Sequence, residues 1–229
     1  MNTTIERISK FISRAGFCSR REAEKLVRSG QVKINDFIVT DVTTNVAKED
    51  QIYVDGKKIE AIEGTRLWIH YKPNGVVSTH SKTESRPTLF EQLPEGFPRV
   101  VSVGRLDMFT EGVIVLTNDG DLAHLLETHS PTWIKEYELT LEKSVSEAQL
   151  KLIKEKLSMR KYTVSKTLSF TTQVEFTKMH RQLFESTGSK IKTVVRRKTG
   201  PFSLGKISPG DVLEVESSQI ELIKKEYLS

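Results

Sequence analysis

The chain has 229 residues, of which 37% are hydrophobic and 28% charged, and its formal net charge is +5. This length and composition suit one folded domain plus a small one, and they exclude a fibrous or wholly disordered protein. A single cysteine, Cys18, excludes an internal disulfide framework and any metal site made only of cysteines, and it fits a reducing compartment. Since the sequence has no apolar run of about 20 residues and no apolar N-terminal stretch, we expect a soluble, cytoplasmic protein.

The charge is distributed unevenly along the chain. Residues 1–62 carry 11 basic and 9 acidic side chains, whereas residues 63–142 carry 7 and 12. Residues 143–206 carry 15 basic and 4 acidic side chains, and residues 207–229 carry 2 and 5. Two basic zones therefore flank an acidic middle. Basic zones attract polyanions, and nucleic acid is the usual polyanion in a cell. Solvated lysine-rich helix faces would give the same counts, so charge alone leaves both interpretations open.

The first sixty residues predict two short helices followed by small strands. Ile5, Ile8 and Ile12 recur at helical spacing, and Gly16 ends that pattern. Ser-Arg-Arg-Glu at residues 19–22 has the spacing of a capping box and predicts the start of a second helix. Alternating apolar residues at 32–34 and 52–54 predict strands. With a linker near residues 60–65, the chain divides into a small domain at 1–62 and a larger one at 63–229.

The larger domain predicts strands and helices without regular alternation, which is typical of an α+β fold. Its Ser-, Thr- and Pro-rich segment at residues 79–99 predicts a long loop. Strands are predicted around residues 67–71, 112–117, 134–141, 170–176, 191–195 and 212–215, and helices around 88–92, 120–126, 145–157 and 179–186.

Seven cationic residues lie on the first two helices and their turn, where Glu22 and Glu24 cannot balance them. They are Arg7, Lys10, Arg14, Arg20, Arg21, Lys25 and Arg28. The last three are spaced i, i+4 and i+7 and so share one helix face. This face predicts contact with phosphates, either of RNA or, as in a helix-turn-helix protein, of DNA.

Asp107 is the candidate reactive residue of the larger domain. It lies in a loop between two apolar stretches, two residues after Arg105. A nearby arginine favours the ionised form of a carboxyl group, and an ionised aspartate in a cleft can act as a nucleophile or a base. An ordinary cap or salt bridge would show the same pattern, so these two residues alone do not establish catalysis.

The N-terminal sequence resembles a known RNA-binding domain. Residues 8–41, ISKFISRAGFCSRREAEKLVRSGQVKINDFIVTD, are similar to the alpha-L domain first known from a small-subunit ribosomal protein. The resemblance spans residues 5 to about 60. It implies binding of structured RNA through the two-helix face, mostly by contacts to phosphates and to shape.

The larger domain resembles the RNA pseudouridine synthases. Residues 103–121, VGRLDMFTEGVIVLTNDGD, are similar to the signature of that family. Residues 71–81, 86–94, 135–139 and 200–211 resemble further segments of its ribosomal RNA subfamily, whose members carry an N-terminal alpha-L domain. The resemblance implies a mixed, mainly antiparallel-sheet catalytic domain that isomerises a uridine in ribosomal RNA to pseudouridine. It implies no metal, no cofactor and no membrane partner, and we expect a monomer.

The same resemblance implies a role for each site residue. Asp107 is the essential carboxylate, which acts on the sugar as a nucleophile or as a base, and Arg105 helps to hold the flipped nucleotide. Tyr137 stacks on the uracil. Flipping the target base out of its stack costs about a few kcal/mol, and binding of the RNA by the basic helices would offset that cost.

The third motif of the family, whose basic residue pairs with the catalytic aspartate, is not matched. Residues 158–192 are shorter than the family pattern and lack its Glu-Gly pair. Arg181 lies nearest the expected place, and Arg196 and Arg197 are alternatives. A catalytically impaired relative that acts as an RNA-binding or ribosome-assembly protein is therefore the alternative function, and a DNA-binding regulator is a third.

Overall fold

A computed structural model describes residues 5–60, 64–80, 86–165 and 167–228. The chain divides into two compact units. The N-terminal unit comprises the residues up to Thr65 with Pro98–Val100 and Asn118–Gly120, and the C-terminal unit comprises Arg66–Phe97, Val101–Thr117 and the residues from Asp121 onward. Each unit contains both helices and strands, which confirms the predicted α+β class. The predicted linker and the predicted long loop fall partly outside the described residues, at 61–63 and 81–85.

The N-terminal unit contains two helices and small antiparallel sheets. Its elements are β1 (Glu6–Arg7), α1 (Ile8–Arg14), α2 (Arg20–Arg28), β2 (Val32–Ile34), β3 (Phe37–Val39), β4 (Asn45–Val46), β5 (Ile52–Val54) and β6 (Lys57–Ile59). Strands β3, β2, β5 and β6 form one sheet in that order, and β1 pairs with β4. The first helix begins at Ile8 and not at Ile5, because Glu6 and Arg7 pair with the β4 strand instead.

The predicted capping box forms at the start of α2. The Ser19 hydroxyl accepts a hydrogen bond from the backbone N–H of Glu22 at 3.2 Å, and the Glu22 carboxylate accepts one from the backbone N–H of Ser19 at 2.8 Å. These bonds satisfy two N–H groups that lack partners within the helix. They fix the start of α2 so that Ala23 and Val27 are buried in the core of this unit, against which Cys18 also packs.

The C-terminal unit is built on a nine-stranded sheet. Its elements are β7 (Leu67–Lys72), β8 (Val101–Val103), β9 (Glu111–Thr117), α3 (Gly120–His129), β10 (Lys135–Leu141), α4 (Glu147–Lys156), β11 (Tyr162–Val164), β12 (Thr167–Thr172), α5 (Lys178–Ser186), β13 (Ile191–Thr199), β14 (Phe202–Ser203), β15 (Val212–Glu214) and α6 (Ser217–Leu228), with a short 3₁₀ helix at Leu89–Gln92. The strand order is β11-β12-β10-β13-β9-β7-β15, with β14 beside β13 and β8 beside β9. All these pairs are antiparallel except β9 with β13.

Two apolar clusters cover this sheet. One joins β7 and β9 to α3 and α6, and the other joins β10 and β12 to α4 and α5. Helix α6 was not predicted, although Ile220 and Ile223 from it are buried in the first cluster. No helix in the described ranges has the length and hydropathy needed to cross a bilayer.

The strand predicted around residues 170–176 ends earlier, at Thr172. The Thr172 hydroxyl accepts a hydrogen bond from the backbone N–H of Val174 at 3.0 Å, a bond that turns the chain out of the sheet. Residues 173–177 therefore form a loop between β12 and α5, and this loop contributes to the candidate site.

Gly112 permits the parallel pairing of β9 with β13. Its φ is +113°, and a β-carbon added there would lie 2.7 Å from the backbone nitrogen of Arg196, its register partner. We expect Gly112→Ala to lower the free energy of unfolding by about 3 kcal/mol, because it combines backbone strain with overpacking. Urea unfolding measures the loss. Gly96→Ala is the control, since Gly96 has a φ of +75° with no atom within 4 Å of the added carbon. Equal losses in the two variants would contradict this account.

Candidate active site

Three loops of the C-terminal unit line a cavity of about 420 Å³. The loop before β9 contributes Asp107 and Arg105, the loop after β7 contributes residues 77–79, and the loop after β12 contributes residues 175–177. The structure therefore brings two of the three predicted catalytic residues to one cavity. It does not place Tyr137 in the cavity wall.

The backbone around Asp107 is held by hydrogen bonds on both sides. Its carboxylate accepts a bond from the N–H of Phe109 at 3.0 Å, and its carbonyl accepts one from the N–H of Thr110 at 3.0 Å. On the other side, the buried Ser78 hydroxyl donates to the carbonyl of Leu106 at 3.1 Å and accepts from its N–H at 3.3 Å. The half-buried carboxylate is thus presented to the cavity from a fixed turn.

Lys72, at the end of β7, links the Asp107 turn to the loop that follows β7 by hydrogen bonds. Its side chain is fully buried, and its ammonium group donates to the carbonyl oxygens of Pro73 at 2.9 Å, Val76 at 2.8 Å and Met108 at 3.2 Å. Burial lowers the pKa of Lys72 to about 8, and the negative charge of Asp107 is the largest effect that opposes this shift. Lys72 is therefore a cation whose charge is coupled to that of Asp107.

None of the three candidate arginines pairs with Asp107. Among the residues that the structure describes, the ion pairs do not include this carboxylate. Each arginine contacts another group: Arg181 donates to the carbonyl of Phe109 at 2.9 Å, Arg196 pairs with Glu175 at 2.8 Å, and Arg197 pairs with Glu138 at 2.9 Å. The arginine nearest the expected third motif thus contacts the backbone of the Asp107 turn and not its carboxylate.

Glu175 is a second carboxylate in the cavity wall, which the sequence analysis did not identify. One of its oxygens accepts hydrogen bonds from the Tyr137 hydroxyl at 3.0 Å and from Arg196 at 2.8 Å, and the other lies 3.4 Å from the ammonium of Lys135. Arg196 and Lys135 are 4% and 1% exposed, whereas the Glu175 side chain is 43% exposed. Glu175 is the only acidic residue in the sequence between Arg160 and Phe184, a signal that could have singled it out.

Tyr137 is fully buried next to the cavity wall. Its ring packs against Phe170 and Phe176, with centroid separations of 5.7 and 5.9 Å. Burial raises the pKa of Tyr137, so its hydroxyl stays protonated. This hydroxyl is the donor of the hydrogen bond to Glu175. Among the described residues, the aromatic side chain in the wall is Phe176 and not Tyr137. The ring of Tyr137 does not line this cavity, so its predicted stacking on uracil stays a prediction.

Some side chains of the predicted cationic face of the N-terminal unit contact neighbouring groups of the same unit. Arg7 donates to the carbonyl of Thr43 at 2.7 Å, Arg14 pairs with Glu6, and Arg28 pairs with Glu24 at 3.4 Å. The side chains of Arg20, Arg21, Lys25 and Arg28 are all exposed along α2. Four exposed cations of this unit therefore lie on the second helix.

No group of three or more His, Cys, Asp or Glu side chains that could hold a metal ion occurs in the described part of the chain.

Comparison with known proteins places both units in families. The S4 domain family, to which the alpha-L resemblance refers, matches residues 6–52, and the family of RNA pseudouridylate synthases matches residues 66–219. An uncharacterized RNA pseudouridine synthase of Rickettsia conorii is 37% identical over 95% of this chain and 99% of its own length. Ribosomal large subunit pseudouridine synthase B of Bacillus subtilis is 29% identical over 96% of each chain.

A solved structure supports the same assignment. The crystal structure of a pseudouridylate synthase matches with a TM-score of 0.58 and 26% identity, and it covers 94% of this chain and 98% of its own. The second family match spans more than half of the chain and includes all three loops of the cavity. The chain therefore belongs to the RNA pseudouridylate synthase family and is an isomerase that acts on RNA.

Proposed function

We propose that this enzyme converts a uridine of ribosomal RNA to pseudouridine, with Asp107 as its essential carboxylate. The observation that supports this role is the position of Asp107, half-buried in the cavity wall on a turn held by backbone hydrogen bonds. Ribosomal RNA is the proposed substrate because a relative of nearly the same length is named for the large ribosomal subunit. This substrate would also place the enzyme in the cytoplasm.

The reaction is an isomerisation that needs no co-reactant. The bond from N1 of uracil to C1′ of the ribose breaks, the base turns, and C5 bonds to C1′. C5 then loses a proton, and N1 gains one, so that atoms and electrons balance. Asp107 either attacks C1′ and is displaced when C5 bonds there, or removes the proton from C2′ to form a glycal and returns it to C2′ as C5 bonds to C1′. Both routes need an ionised carboxylate beside the sugar. Arg105, exposed at the cavity, would hold the flipped nucleotide through its phosphate.

The proposed organisation assigns residues 1–62 to RNA binding and residues 63–229 to catalysis. The exposed cations of α2 would contact phosphates and anchor the RNA while the target base leaves its stack. The cationic residues proposed for this binding are the seven of β1, α1 and α2: Arg7, Lys10, Arg14, Arg20, Arg21, Lys25 and Arg28.

Two measurements test the proposed function. Purified protein is incubated with deproteinised ribosomal RNA, and pseudouridines are mapped; the map is also compared between cells with and without the gene. We expect at least one site that depends on the protein in both experiments. If no ribosomal RNA site responds and ribosome association is retained, the alternative role of a non-catalytic assembly protein is favoured. The contacts of Arg181, Arg196 and Arg197, each with a group other than the Asp107 carboxylate, are the observation that keeps this alternative open.

The double variant Arg21→Gln/Lys25→Gln tests the cationic face. We expect its RNA affinity to fall about tenfold near 0.1 M salt, because two phosphate contacts and their released counterions are lost. The slope of log K against log salt should become shallower by about 1–2. Lys57→Gln/Lys58→Gln, two exposed lysines of β6 in the same unit, is the matched control. Equal effects of the two double variants would show that only overall charge matters.

A further inference from the structure

Glu175 has a free hydrogen-bonding capacity that the proposed mechanism does not use. One oxygen is occupied by Tyr137 and Arg196, whereas the other has, within the described ranges, a single partner, Lys135, at 3.4 Å. The side chain is 43% exposed and lies in the same cavity wall as Asp107. A carboxylate oxygen can accept about two hydrogen bonds, so the second oxygen can accept one from a molecule in the cavity.

The partners of Glu175 also fix its position. Arg196 is held in turn by the carbonyl of Val113, to which it donates at 2.8 and 3.1 Å. Two buried cations and one carboxylate leave this cluster with a net positive charge, which tolerates an electron-rich base beside it. An ionised carboxylate is an acceptor only and cannot donate.

We propose that Glu175 recognises the uracil base by accepting the hydrogen bond of its N3–H group. Uracil carries a donor at N3 between two carbonyl acceptors, whereas cytosine carries an acceptor at N3. A fixed carboxylate therefore attracts uracil and repels cytosine. With cytosine in the site, the carboxylate oxygen and N3 are both acceptors and both stay unpaired, so the site discriminates strongly between the two bases. This proposal rests on the proposed function, because it assigns the base-recognition part of the Asp107 site.

The same contact suits the rotation of the base. A half-turn of uracil about the axis through C6 and N3 exchanges N1 with C5 and exchanges the two carbonyl groups. N3 and its hydrogen lie on that axis and do not move. A hydrogen bond from N3–H to Glu175 is therefore available before the glycosidic bond breaks and after the new bond to C5 forms. Glu175 takes up no proton in this role; it holds the detached base at the one polar hydrogen that keeps its place.

Glu175→Gln tests the proposal in the Asp107→Asn background, which prevents turnover. The RNA is one that the wild-type enzyme modifies, in two versions that differ only in uridine or cytidine at the target position. We expect the parent protein to bind the uridine version at least about tenfold more tightly. In Glu175→Gln the amide oxygen can serve Tyr137 and Arg196 while the NH₂ group faces the cavity, so the preference should be lost or reversed. A purely structural defect would weaken both RNAs alike.

Two controls separate the outcomes. Glu185→Gln removes an exposed carboxylate of α5 and should leave the uridine preference unchanged. A third RNA carries N3-methyluridine at the target position and so lacks the N3–H donor. It is tested with the Asp107→Asn protein alone, which should bind it no better than it binds the cytidine version. An unchanged preference in Glu175→Gln, or equal binding of methylated and unmethylated RNA, would overturn the proposal. Pseudouridine formation by the wild type is scored separately, so either result leaves the proposed function standing.

Discussion

Asp107→Asn should abolish pseudouridine formation while RNA binding stays within about threefold of the wild type. The substitution keeps the shape of the side chain, and an oxygen of the amide can still accept the bond from the N–H of Phe109. It removes the negative charge that either catalytic route requires at the sugar. We therefore expect the single-turnover rate to fall by at least about 10³-fold.

Rate and affinity are measured on the same RNA. Glu95→Gln, which neutralises an exposed carboxylate of the same unit, is the matched control and should leave both values unchanged. A variant that keeps more than about a tenth of the wild-type rate would show that Asp107 is not essential. A parallel loss of affinity would show that Asp107 contributes to RNA binding.

Local signals in the sequence were sufficient for many elements of the fold. The capping box at residues 19–22 depends on groups three residues apart, and the apolar run from residue 112 to 117 is buried on both faces in β9. The Asp107 turn could also be placed, because its neighbours on each side are short apolar strands. These features depend on neighbours in the chain, so pattern and spacing predict them.

The remaining parts of the site depend on contacts between distant segments. The Tyr137 hydroxyl meets Glu175 across 38 residues, and Lys72 meets the carbonyl of Met108 across 36. The strand that was predicted to continue to Phe176 ends at Thr172 through a side-chain hydrogen bond that no apolar pattern shows. The sequence predicts an arginine partner of Asp107 in the third motif, whereas the cation whose pKa this carboxylate raises is Lys72, 109 residues before Arg181 in the chain.

Lys72→Met should impair both stability and catalysis. The methionine leaves the carbonyls of Pro73, Val76 and Met108 without their shared donor. The bond to Val76 is buried, whereas those to Pro73 and Met108 are part-buried. Since an unpaired buried carbonyl costs about 1–3 kcal/mol, we expect the free energy of unfolding to fall by about that amount. We also expect the single-turnover rate to fall about 10²-fold, because the Asp107 turn is no longer held to the loop after β7.

The pH dependence of the wild-type enzyme tests the same group. The pKa of Lys72 is about 8 in the folded protein. As pH rises through this value, the amine keeps two donors for three carbonyls and loses the positive charge coupled to Asp107. The rate should therefore decline above about pH 8.

The contribution of Lys72 to stability does not explain that decline. Burial lowers the pKa of Lys72 from its ordinary value of 10.5, so between about pH 8 and 10.5 the unfolded chain holds this proton more tightly than the folded protein does. The contribution of Lys72 to stability consequently rises with pH in this window. Rates and urea midpoints are measured together from pH 6 to 10 for the wild type, for Lys72→Met and for Lys206→Met, an exposed-lysine control. The alkaline decline should persist in Lys206→Met and disappear in Lys72→Met; a decline that survives in Lys72→Met would assign it to another group.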